Sequence, residues 1–230
     1  VLGLLGTQSH RRFIKTHTPL DGLPQEDEVT YLCVGRDPRD VALSWDNHLA
    51  NTDLAALARA RRSAVGGPQA PGGDDLPDRW ARNARKRFWR WVDDPTPPSA
   101  ADSNLASTLH HLGTFWAARD RPNVVLLHYA DLKADLAGQM CRLAGRLSIT
   151  VPPDRWPSLV EAATLGRMRA GADQLVPNAS RRVFRDNRRF FATGTNGQWR
   201  SLLGEEDLVR YWARVAELVP SDVAGWVHQP

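Results

Sequence analysis

Lys15 and His17 stand one residue apart in Arg11-Arg-Phe-Ile-Lys-Thr-His-Thr-Pro-Leu-Asp-Gly-Leu-Pro. Phe13, Ile14 and Thr16 favour an extended strand over Phe13–Thr18, and Pro19 halts it. Alternate side chains of a strand share a face, so Lys15 and His17 would project together. A cation beside a titratable imidazole suits a reaction that takes a proton from a nucleophile while negative charge builds nearby. Taken alone, the stretch reads more simply as an edge strand with two solvated polar residues.

The second stretch is Thr30-Tyr-Leu-Cys-Val-Gly-Arg-Asp-Pro-Arg-Asp-Val-Ala-Leu-Ser-Trp. Tyr31–Val34 is an apolar run of the kind that forms a buried strand. Asp37 is placed to cap a helix, Pro38 suits its first turn, and Asp40 favours its positive end. The helix is expected over Pro38–Leu49. Arg36 then sits at the strand exit above the helix N-terminus, and Ser44, two turns on from the cap, faces the same side. A guanidinium and a hydroxyl at such a place suit a phosphate. The plainer reading is an Arg36–Asp40 ion pair with Ser44 in solvent.

Together these stretches resemble the cytosolic type of sulfotransferases that use 3′-phosphoadenosine 5′-phosphosulfate (PAPS). That family carries a Lys-Thr-His-x-Pro-Leu strand, then Arg-(Asn/Asp)-Pro-(Lys/Arg)-Asp-Val-Ala-x-Ser, both matched here in order. Val124-Val-Leu-Leu-His-Tyr-Ala-Asp-Leu-Lys is similar to its strand ending in Tyr-Glu-Asp-Met-Lys. Phe190-Phe-Ala-Thr-Gly-Thr-Asn-Gly-Gln-Trp-Arg is similar to its late glycine loop.

The resemblance implies an α/β fold, a mostly parallel central sheet flanked by helices in P-loop-kinase-like architecture. It also implies in-line transfer of a sulfuryl group from PAPS to an alcohol, phenol or amine acceptor, with PAP as product. His17 matches the general base and Lys15 a cation near the transferring group. Arg36 and Ser44 match ligands of the 3′-phosphate, Tyr129 a residue at the nucleotide, and Gly194 a glycine of the loop over that phosphate. Thr164 matches a residue near the adenine. Positioning and charge stabilisation would do the work, and no metal is expected, since no cluster has metal-ligand spacing.

Two departures from the family pattern stand out. Its opening Tyr-Pro-Lys-Ser-Gly-Thr-Thr-Trp loop, whose amides and lysine hold the 5′-phosphosulfate, has no counterpart here, and an N-terminally incomplete sequence is the expected reason. Where the family carries Arg-Lys before the late glycine, this chain has Ala192-Thr193-Gly194; Arg188 and Arg189, just upstream, are the candidates to replace those cations by a shifted loop path.

The 230 residues and a net charge of +4 fit one core and a single domain, with 51–104 as a helical and loop insertion over the site. Further helices are expected over Asp78–Val92, Ser103–Arg119, from Asp131 to about Leu147, Leu159–Arg169 and Glu205–Leu218. Asn123–Tyr129 is expected to be a strand and Gly66–Pro77 a loop. Strand ends of such parallel sheets are where ligands bind, which fits Lys15, His17, Arg36 and Tyr129. Cys33 and Cys141 show no metal or redox spacing and are expected as reduced core thiols.

No run of residues is apolar enough to span a membrane, and no signal peptide is visible, so a cytoplasmic location follows by default, with a homodimer allowed and no nucleic-acid partner expected. Trp-rich residues 80–116 offer walls for an acceptor, although core packing is the simpler role, as helix packing is for His110 and His111. Trp199 is expected to anchor the late loop. Two alternatives to an active transferase are a nucleotide-binding relic or truncated fragment without transfer, and a module for acidic polymers built on Arg59–Arg62, Arg79–Arg90 and Arg181–Arg189.

Overall fold

The structure is a computed structural model describing residues 7–65, 83–177, 179–191 and 194–230. Strand β1 (Tyr31–Gly35) pairs in parallel with β2 (Val124–His128), Tyr31 opposite Val124 and Gly35 opposite His128. Tyr31, Cys33 and Gly35 turn inward while Leu32 and Val34 turn outward. Parallel strands require a long crossover, and the described residues between 36 and 123 are largely helical. The expected α/β class, a parallel sheet flanked by helices, is what forms.

Asp37 caps α1 (Pro38–Asn51), accepting from the Arg39 N–H at 2.9 Å, with Pro38 in the first turn. The helix runs two residues past the expected Leu49. Helix α2 (Leu54–Val65) follows. Next comes α3 (Ala84–Asp93), capped by Asn83 and burying Phe88, Trp89, Trp91 and Val92. The loop expected over Gly66–Pro77 and the expected helix start at Asp78, with Trp80, lie outside the described residues.

Helix α4 (Leu105–Ala117) opens with a reciprocal cap between Asn104 and Ser107 and buries Leu105, Leu109, Leu112 and Phe115. Its stripe packs in one core with α3, with α11 (Glu205–Leu218) and with α12 (Ser221–Val227). Arg85 grips Asp207 in α11 with three N–H···O contacts of 2.7–3.0 Å, and the Trp89 indole donates to the same carboxylate. That partnership holds the Asp207 carboxyl down at about 2.

Three expected elements form differently. Phe13–Thr18 is not a strand: Phe13 and Ile14 are 70% and 80% exposed, and no described strand pairs with the segment. The Thr16 hydroxyl takes the Thr18 N–H at 3.0 Å instead, a local turn that competes with an extended ladder. Asp131 does not cap one long helix. His128 caps α5 (Tyr129–Ala134), then Asp135 leaves helical geometry and caps α6 (Leu136–Arg146) through the Gly138 N–H. Likewise Leu159–Arg169 divides at Thr164, which caps α8 (Leu165–Ala170) after α7 (Trp156–Ala162). A short polar side chain that bonds the backbone ends one helix and starts another, which apolar spacing does not reveal.

The cysteines also separate. Cys33 lies in the core, where burial pushes its thiol up to about 12, but Cys141 is exposed on α6 and is not a core thiol. Trp89 and Trp91 pack in the core, and Trp116 stacks on Trp226 at 5.1 Å, so these rings serve packing.

Candidate functional site

β1 delivers Arg36 to the foot of α1, and β2 delivers Tyr129 beside it. The Arg36 guanidinium lies over the Tyr129 ring, 4.5 Å from its centroid, and Nη2 donates to the Thr195 carbonyl at 3.3 Å. The expected Arg36–Asp40 ion pair is absent, because Asp40 has other partners. Arg36 Nε is shut off from solvent and has no acceptor. A buried guanidinium N–H without a partner is costly, and an anionic oxygen is the group that relieves it best. Gly194 closes the same corner at φ +66°, and a Cβ there would stand 2.5 Å from Leu165 Cδ2 and 3.5 Å from the Tyr129 hydroxyl. Thr164, half-buried, is the residue before Leu165.

The late loop is pinned to the start of α1. Asp40, 2% exposed, accepts from the Gly197 N–H at 2.7 Å and the Gln198 N–H at 3.0 Å. Burial first, then the neighbouring Asp37, pushes its carboxyl up, against the pull of these amides and Arg36. The Trp199 indole donates to Asp37 at 3.1 Å, and Arg39 is sandwiched between an ion pair to Asp37 and the Trp199 ring at 3.7 Å. Trp199 therefore anchors the loop as expected. Asp37, Arg39 and Asp40 are the anchors at the start of α1; sequence reading gave the two aspartates helix-start roles, offered Asp40 an ion pair with Arg36 besides, and gave Arg39 none.

Further along α1, Asp40, Ser44 and His48 recur every four residues and so share one face. Ser44 is half-buried on that face. His48 stacks with Trp45 at 5.5 Å and meets Phe184 and Phe190 edge-on at 5.3 and 6.0 Å. Phe184 is held there because Asn51 bonds Asp186 twice and Thr52 bridges to Phe184. Burial lowers the His48 pKa, and the charges of His17 and Lys15 lower it further. The charges of both sequence-predicted residues thus reach His48, although no strand presents them. His17 and Lys15 are themselves exposed.

The structure brings Arg36, Tyr129, Gly194 and the Thr164 turn together; Ser44 lies further along α1 toward His48, which the charges of Lys15 and His17 reach. Arg188 and Arg189 lie exposed on α10 (Asn187–Phe190). Ala192 and Thr193 lie outside the described residues. The aromatic wall of Trp45, His48, Phe184 and Phe190 was missed by sequence reading. The four-residue spacing of Ser44 and His48 is the signal that could have found part of it. Of the arginine clusters, Arg85 and Arg87 are committed to Asp207 and Asp46. Among the described residues no cluster could hold a metal ion, and no helix is long and apolar enough to cross a membrane.

The sulfotransferase domain model matches residues 3–218. A glycolipid sulfotransferase of Mycobacterium bovis (strain BCG / Pasteur 1173P2) is 39% identical over 238 residues, spanning all of this chain and 73% of that protein. One from Mycobacterium tuberculosis (strain ATCC 25177 / H37Ra) is 40% identical over 239 residues, with the same coverage. Among solved structures, retinol dehydratase in complex with androsterone and inactive cofactor PAP superposes with TM-score 0.67 at 24% identity. The match covers 94% of this chain and 55% of that one, so the chain spans about half its length. A mouse sulfotransferase complexed with PAP gives TM-score 0.67 at 17% identity, over 98% of this chain and 72% of that one. The agreement of fold, family model and full-chain relatives leads to one assignment: the chain belongs to the sulfotransferase family.

Proposed function

We propose that this chain moves a sulfuryl group from PAPS to a hydroxyl or amine acceptor by in-line transfer, with His17 as general base. The observation that carries the reading is the Arg36 corner at the start of α1, where an enclosed Nε lacks an acceptor beside Tyr129 and the late loop, with His48, within reach of the Lys15 and His17 charges, near the other end of the helix.

When bound, the donor supplies the sulfuryl group, whose bond to the nucleotide phosphate breaks as a bond to the acceptor oxygen or nitrogen forms. His17 takes the acceptor proton, and the Lys15 ammonium stands where negative charge develops. Arg36 Nε, which lacks an acceptor, and the Ser44 hydroxyl would hold the 3′-phosphate, with Tyr129 and Thr164 beside the nucleotide and Gly194 leaving room for it. Arg188 and Arg189 are cations at hand to close over that phosphate. Trp45, Phe184 and Phe190 form a wall for the acceptor; aromatic faces stack well on sugar rings and apolar groups. The glycolipid sulfotransferases among the relatives favour a sugar hydroxyl on an apolar carrier.

Calorimetric titration with PAP, using AMP as control, tests the donor half. Micromolar binding of PAP, far tighter than AMP, is expected because only PAP carries the 3′-phosphate. Equal affinity for the two removes that site and leaves a relic as the better reading. Transfer from PAPS to glycolipid, phenol and amine acceptors then tests the other half.

Gly194→Ala is expected to lower PAP affinity about tenfold, since a side chain at positive φ costs about 1–3 kcal/mol and here also meets Leu165. An unchanged dissociation constant in the same titration would take Gly194 out of the site.

A further inference from the structure

Arg36 and Tyr129 meet just beyond two strand ends, and the C-terminal helix holds both ends in place. Gly35 and His128, the last residues of β1 and β2, stand opposite each other in the parallel register. Helix α12 closes over the pair. A Cβ at Gly35 would stand 2.8 Å from Trp226 Cζ2 and 3.1 Å from His128 Cδ2, so the missing side chain is what lets the indole rest on β1. Trp226 is itself fixed by its stack on Trp116, whose indole donates to Asp222 in the first turn of α12 at 2.8 Å.

His128 ties the other strand end to the same helix. Its residue is 3% exposed, and both ring nitrogens are used. Nδ1 accepts the Ala130 N–H at 3.2 Å, which caps α5, and Nε2 meets the Val227 carbonyl at 3.3 Å. A carbonyl only accepts and an amide N–H only donates, so these partners fix one neutral tautomer, with the proton on Nε2. Burial is the first cause lowering the pKa of this imidazole; the Val227 bond and the charges of Asp131 and Asp37 pull the other way. Just past α12, the Gln229 amide donates to Asp131 in α5 at 3.2 Å.

We propose that His128 is a positioning residue for the nucleotide end of the site: bridging Ala130 and Val227, it locks Tyr129, with the Arg36 guanidinium over that ring, against α12. The inference rests on the sulfotransferase reading, in which Tyr129 and Arg36 hold the donor. A binding residue ordered before its ligand arrives lowers the cost of binding. Loss of the bridge therefore shows in donor affinity and not in proton transfer near the far end of α1.

Three measurements on the full chain test this. Histidine-selective ¹⁵N NMR at neutral pH, with His128→Phe assigning the signal, is expected to show a neutral ring protonated on Nε2. Calorimetry with PAP and hydrogen exchange over residues 129–134 then compare the unaltered protein with His128→Phe and His128→Asn. Phenylalanine keeps a ring and loses both bonds; asparagine is a good helix cap but too short to reach Val227. His128→Phe is expected to weaken PAP binding about tenfold and to raise exchange over α5, and His128→Asn to recover part of both. In steady-state transfer the KM for PAPS is expected to rise by the same factor, with kcat within about twofold. Should His128→Phe fail to fold, His128→Asn carries the comparison. A charged ring or one protonated on Nδ1, unchanged PAP affinity in the folded variants, or a fall in kcat with KM unchanged overturns the proposal. No PAP binding by the unaltered protein, with the expected tautomer and exchange, supports the bridge and counts against the donor reading alone.

Discussion

His17→Ala is expected to lower sulfuryl transfer by about 10²–10⁴-fold, the usual worth of a general base, while PAP affinity is expected to stay within about twofold. The two effects separate because the two halves of the site rest on different elements. Arg36, Tyr129 and Gly194 are fixed by β1, β2 and the late loop, none of which uses the His17 side chain. The ring is exposed, so its removal leaves no cavity in the core and the fold is expected to persist. Single-turnover transfer and calorimetry on one preparation give both numbers. Equal loss of transfer and of PAP binding would make His17 a structural residue of the donor site. Undiminished transfer would require another base, and His48, within reach of the His17 charge, would be the first to replace.

Arg36→Ala is expected to weaken PAP binding by about 10- to 100-fold, because a hydrogen bond to a charged partner is worth about 1.5–3 kcal/mol. The side chain does three things at once. It lies over Tyr129, holds the Thr195 carbonyl, and keeps a buried Nε–H unpartnered. Lysine offers neither the planar stack nor the fixed fork, so Arg36→Lys is expected to recover little of the loss. AMP serves as the control, since its affinity is expected to change far less. An Arg36→Ala protein that binds PAP as tightly as before would place the 3′-phosphate elsewhere, with Arg188 and Arg189 as the next residues to replace.

The legible parts of this protein were local. The Asp37 cap, Pro38 in the first turn and the apolar run before them are signals within a dozen residues, and β1 and α1 formed where those signals lie. The stripe of Leu105, Leu109 and Leu112 likewise announced α4. Local signals failed where a side chain competes with the backbone. Thr16, Asp135 and Thr164 each bond a nearby N–H, and each ends or prevents the regular element that apolar spacing suggested. The strand expected at Phe13–Thr18 depended on a partner that a single stretch of sequence does not specify.

Lys15 and His17 show the difference most clearly. Alternation along a strand was the expected reason for their common direction. No strand forms there; the following segment docks on α4 through Leu20, and the charges of both residues reach His48 on α1. The amino-acid sequence by itself determined the reactive groups, the phosphate-suited turn at Arg36 and the helix that carries Ser44, because these depend on neighbours in the chain. Only the tertiary structure decided that Phe184 would wall His48 and that Asp40 would pin Gly197. Those contacts join residues far apart in the chain, 157 positions for Asp40 and Gly197, and their formation depends on how whole helices pack, which no local periodicity encodes.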